Sequence, residues 1–73
     1  MKAVVLYYRK TDTYMVVDHN LDDAEAEREC KELRADNFPA LTLTQKGKHR
    51  AKDAEDCKAC SRLISAKRKE QKG

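Results

Sequence analysis

Apolar positions run almost unbroken over residues 3–8, stop over residues 9–13, and resume over residues 14–17. Such runs of β-branched, aromatic and leucine side chains predict two strands joined as a hairpin. Thr11 and Asp12 are the expected turn, which sets Leu6 opposite Val17 and Tyr8 opposite Met15. Val4, Leu6, Tyr8, Met15 and Val17 then share an apolar face that needs cover. Ala3, Val5, Tyr7, Arg9, Tyr14, Val16 and Asp18 share the other, half-polar face, which is expected to lie open.

The period changes after Asn20. Asp22 followed by Glu25 forms a capping box, and Leu21 with Ala26 supplies a hydrophobic staple. A helix is expected from Asp23 to Ala35, with Ala26, Cys30 and Leu33 as its buried stripe. Asn37 suits a left-handed stop. Phe38 is expected to plug the end of the core. Residues 40–44 alternate, with Leu41 and Leu43 facing in, and predict a third strand. Gln45, Lys46 and Gly47 resemble a three-residue hairpin loop, so residues 48–51 are expected to return as a fourth strand. A second helix, capped by Asp53, carries the stripe Cys57, Cys60, Ser61 and Ile64.

The fold class implied is α+β: a small two-layer sandwich in the order β-β-α-β-β-α. An antiparallel four-stranded sheet would carry two helices on one face, with the first strand central. Residues 1–64 are expected to form one domain and residues 65–73 a flexible basic C-terminal tail.

Composition adds direction. The 73 residues include 40% charged side chains, so the apolar core is small. Apolar runs are too short for a membrane span or an export signal, which gives the expectation of a cytoplasmic protein with no membrane partner. An odd count of three cysteines fits free thiols in a reducing compartment. Charge is unevenly placed: residues 1–45 hold six basic and nine acidic side chains, residues 46–73 ten basic and four acidic. A basic C-terminal half points to an anionic partner, either nucleic acid or an acidic protein surface.

Two functions fit this pattern. In the first, a non-catalytic accessory protein binds single-stranded or non-specific nucleic acid on the open sheet face. Tyr7 and Tyr14 would stack bases, and Arg9, Lys46, Lys48, Arg50 and Lys52 would hold phosphates, with Arg62, Lys67, Arg68 and Lys69 as a basic arm. In the second, the chain is a protein-interaction or inhibitory module able to form a homodimer, of a size common among phage and mobile-element products. A lesser alternative is a zinc-stabilised domain built on the spacing Cys57-x-x-Cys60, with Cys30 and His49 completing a Cys3His set and His19 the only other soft donor. The expected role of the thiols is packing between helix and core, so no cofactor is assigned. With no phosphate-binding glycine loop and no acid–base pair, enzymatic activity is not expected.

Overall fold

The computed structural model describes residues 1–72, with side chains to Glu70. The first two apolar runs form strand β1, Lys2–Tyr8, and strand β2, Thr13–Leu21. They pair antiparallel with Leu6 opposite Met15, Tyr7 opposite Tyr14 and Tyr8 opposite Thr13. The connecting loop therefore spans residues 9–12, not a two-residue turn, and Asp12 closes it at φ 50. Aspartate tolerates this left-handed conformation better than most residues. The register moves by two, so each side chain near the tip keeps its expected face.

Farther along, the ladder slips twice, between Lys2 and Val4 and between Val4 and Val5. Asp18 falls opposite Val4 and Leu21 opposite Lys2. An extra residue on one strand re-aims the side chains beyond it. Asp18 thus leaves the Tyr7 face where the alternation put it, and His19 takes the side of Ala3 and Val5.

The first helix agrees closely with its sequence signals. Helix α1 spans Asp23–Ala35, and the Asp22 carboxylate accepts the Glu25 N–H at 2.7 Å. Asp36 is the C-cap, and Asn37 takes the left-handed position at φ 69. Ala26 and Cys30 are buried, and Cys30 packs with Leu6, Ala40, Val17 and Leu33. Phe38 is 43% exposed, so it does not plug the core.

Strand β3, Ala40–Thr44, pairs antiparallel with the other edge of β1, from Leu6 opposite Ala40 to Lys2 opposite Thr44. The sheet order is β2-β1-β3, with β1 central. The expected fourth strand does not form: the sheet has three strands, and residues 48–51 are irregular. Lys-His-Arg-Ala offers one apolar side chain to bury, too little to hold a strand. The backbone polar groups of His49 are taken instead by a side-chain amide.

The helices also part company. Helix α1 packs on the Leu6 and Ala40 face. Helix α2, Lys58–Lys72, lies on the opposite face, where Leu63 and Ala66 border Leu43 and Arg68 lies over the Tyr14 ring. The arrangement is three layers, helix–sheet–helix, in place of a two-layer sandwich with one open face. This explains the unbroken apolar run of β1. Ala3, Val4, Val5 and Leu6 are each at most 5% exposed, because both sides of the strand are covered. Helix α2 also continues through Lys72, across most of the segment expected to be a tail; Gly73, the tail's last residue, lies outside the described residues.

Candidate metal centre

Four soft donors converge where the end of β2, the loop after β3 and the start of α2 meet. His19 comes from β2, aimed by the slips in the ladder. Beside it, Asn20 adopts φ 58 within the slipped end of the ladder, just before Leu21 pairs with Lys2.

Asn20 and Gln45 then organise the loop. The Asn20 N–H donates to Gln45 Oε1 at 2.7 Å, and Gln45 Nε2 donates to Asn20 Oδ1 at 3.0 Å and to the Gly47 carbonyl at 2.9 Å. Asn20 grips His49 at two points: Oδ1 accepts the His49 N–H at 2.7 Å, and Nδ2 donates to the His49 carbonyl at 3.0 Å. A side-chain amide here does the work of a neighbouring strand. Gln45 is 5% exposed, and none of the described buried side-chain polar atoms lacks a partner. The clamp brings the His49 ring to 5.6 Å from the His19 ring, centroid to centroid.

The cysteines are set by a break in the helix. A short 3-10 turn, Ala54–Asp56, precedes Cys57, whose backbone is extended at φ -85 and ψ 108. The expected cap, Asp53, makes no capping hydrogen bond. Cys57 itself caps α2: its carbonyl accepts the Ser61 N–H at 3.2 Å, and its Sγ accepts the Cys60 N–H at 3.4 Å. The sulfur occupies the role an aspartate or serine oxygen fills at an ordinary helix start. The pair therefore straddles a turn and a helix, where sequence alone placed both inside one helix.

The resulting geometry is that of a chelate. His49 Nδ1 lies 3.4 Å from Cys57 Sγ and 3.3 Å from Cys60 Sγ, and His19 Nδ1 lies 3.6 Å from Cys60 Sγ. All four donor atoms fall within 4.8 Å of one another. A tetrahedral zinc ion with ordinary Zn–S and Zn–N bonds has N···S edges of about 3.6 Å. The three N···S distances lie within about 0.3 Å of tetrahedral edges, while the whole set spreads to 4.8 Å.

Burial favours the neutral forms of both Cys60 and His49. Burial pushes the Cys60 thiol up to about 12, helped by its hydrogen bond with Cys57 and the charge there. Burial, and then the neighbouring His19, pull His49 below the ordinary histidine value, so its imidazole is neutral and free to donate a lone pair. His19, Cys57 and Cys60 are buried, and His49 is partly so.

The cluster differs from the Cys3His set in one member. Cys30 sits across the sheet in the α1 core, and His19 holds the fourth corner. One signal in the sequence points this way. The α1 stripe fully accounts for Cys30, and the four remaining soft residues number the ligands of a tetrahedral ion.

The candidate nucleic-acid residues do not form one platform. Tyr7 and Tyr14 stack with centroids 4.6 Å apart, and the Tyr7 hydroxyl donates to Asp12 Oδ1 at 3.0 Å, a bond that raises the phenol's pKa. Arg68 crosses this pair, 5.2 Å from the Tyr14 centroid, and binds Asp12 Oδ2 at 3.1 Å and the Asp12 carbonyl at 2.7 Å. Arg9 lies in the hairpin loop. Lys46, Lys48, Arg50 and Lys52 lie in the irregular segment around His49, about 17 Å along β2 from Tyr14. Arg62, Lys67 and Lys69 project from α2. Among the described residues no helix is long and apolar enough to cross a membrane. No family model, curated protein or solved structure matches the chain.

Proposed function

We propose that the chain is a small metal-stabilised domain in which His19, His49, Cys57 and Cys60 chelate one zinc ion at a closed structural site. The observation that carries this is the convergence of four soft donor atoms within 4.8 Å, contributed by three separate segments of the chain. Two thiolates and two imidazoles favour zinc over calcium or magnesium, which prefer oxygen. With four protein ligands no position stays open for water or substrate, so the ion's role is structural.

The physical need is plain. At roughly 0.05–0.15 kcal/mol per residue, a chain of this length has about 4–11 kcal/mol of stability. Structural zinc in small peptides is worth about 10–16 kcal/mol near neutral pH. A bound ion would tie the end of β2 to the loop and to α2.

The test is reconstitution in reducing buffer. One zinc ion per chain is expected by native mass spectrometry, with cobalt giving the visible bands of a tetrahedral two-sulfur site. Chelation is expected to lower the melting temperature and to expose Cys57 and Cys60 to alkylation. A chain that takes up no zinc at micromolar concentration, or whose melting is unchanged by chelator, overturns the proposal.

A further inference from the structure

The loop that carries His49 also forms one wall of a groove. Its other wall is the face of α2 around Ala59, Leu63 and Ala66. The groove encloses about 420 Å³ and is rimmed by Lys46, Lys48 and Arg62, with no acidic side chain in its lining. It continues toward Lys67 along α2 and toward Arg50 and Lys58 at the helix start, where Asp56 and Glu70 mark its two ends. The only salt bridge among the described residues joins Arg68 to Asp12, so none of the rim cations is neutralised by one. Lys46, Lys48 and Arg62 are exposed.

We propose that this groove is a binding site for the phosphate backbone of nucleic acid. The charge arrangement favours a strand over a compact anion. Cations follow the groove from Arg50 and Lys58 at the start of α2, past Lys48, Arg62 and Lys46, to Lys67 on its far side. The floor is aliphatic, supplied by Ala59, Leu63 and Ala66, and suits sugar edges more than base stacking. The acidic face of α1, with Glu25, Glu29 and Glu32, lies on the opposite side of the sheet and repels a polyanion from that side. Binding through phosphates alone carries no base sequence preference and weakens steeply with salt.

The groove depends on the metal centre only for the placement of its loop wall, through His49. The two proposals therefore fail separately: zinc uptake is read by mass, and the groove by binding to a nucleic acid.

The test uses the full chain, with zinc added and with zinc withheld, and a fluorescent 20-nucleotide single strand, read by anisotropy across a salt series, with polyglutamate of matched charge as competitor. The triple variant K46Q/K48Q/R62Q is expected to lose at least tenfold in affinity and to flatten the salt dependence by about two units in log–log slope. The control K31Q, on α1, is expected to bind as the parent does. Circular dichroism and zinc content confirm that each variant is folded. Absence of binding by the parent, or a triple variant that binds with unchanged affinity and slope, overturns the proposal. Polyglutamate competing as well as the strand itself also overturns it, in favour of an acidic protein partner.

Discussion

The residue on which the proposed metal centre most depends is not one of its four candidate donors. The Asn20 side chain makes three hydrogen bonds, two to the backbone of His49 and one from Gln45, at 2.7, 3.0 and 3.0 Å. Asn20 also holds φ 58, which asparagine accepts more readily than alanine. Replacing it with alanine removes all three bonds, at about 1 kcal/mol each, and adds about 1 kcal/mol for the backbone. The bond from the Asn20 N–H to Gln45 Oε1 survives, as does Gln45 to Gly47, so the expected loss is limited to about 4 kcal/mol. For a domain of this size that corresponds to a fall in melting temperature of about 20 °C or more.

The effect on the metal is the sharper readout. Removing a group that orients a ligand typically weakens metal binding by about 10–100-fold. Competition with a chromophoric chelator measures this directly. Asn20→Gly should recover about 1 kcal/mol of stability relative to alanine, because glycine accepts the left-handed backbone, yet should leave zinc affinity low. Asn20→Asp keeps both accepting contacts and loses the donated one, so its zinc affinity should fall between those of the parent and the alanine variant. If Asn20→Ala binds zinc within twofold of the parent and melts at the same temperature, the clamp does not position His49.

Three other perturbations probe separate parts of the molecule. Cys30→Ala should lose about 1 kcal/mol in chemical denaturation, since it leaves a small void beside Leu6 and Ala40. It should still bind one zinc ion, and loss of the ion would place Cys30 among the ligands after all. For the metal-free chain, the raised Cys60 pKa makes a stability contribution that is complete below the unfolded thiol value, about 8.5. That contribution declines as pH rises toward about 12, because the unfolded thiol ionises first. Urea midpoints should therefore fall above about pH 8.5, and a Cys60→Ala chain should lack this component. Arg68→Ala should speed amide exchange in the C-terminal half of α2 and cost about 1 kcal/mol, because the side chain joins that half to Asp12 and the Tyr14 ring. Unchanged exchange there would mean that packing around Leu63 and Ala66 holds the helix by itself.

The features legible in the sequence were those the chain decides locally. Asp22 with Glu25, the Ala26–Cys30–Leu33 stripe and Asn37 lie within a few residues of one another, and they set both ends and the buried face of α1. The alternation over residues 40–44 likewise set β3. The hairpin faces were legible because the pleat repeats every two residues, while its register was not, because loop length depends on the left-handed Asp12. The layer order was hidden in plain view: an apolar run from Ala3 to Leu6 with no polar interruption requires cover on both sides, which a one-sided sandwich does not give.

The candidate metal centre was not legible in the sequence for a different reason. Each of its parts needs a departure from a regular element. His19 needs the two slips in the β1–β2 ladder, His49 needs its loop clamped by the Asn20 amide 29 residues away, and Cys57 needs the helix to restart after Asp56. The spacing of Cys57, Cys60 and Ile64 fits a helix whether or not it begins there, so periodicity could not reveal the break. Three irregularities that meet at one point are costly to maintain in a domain with so small a core, and nothing in the packing of the sheet requires them. A chelated ion requires all three, since it can be held only if the strand end, the loop and the helix start present their donors together. The irregular geometry is therefore itself an argument for the ion.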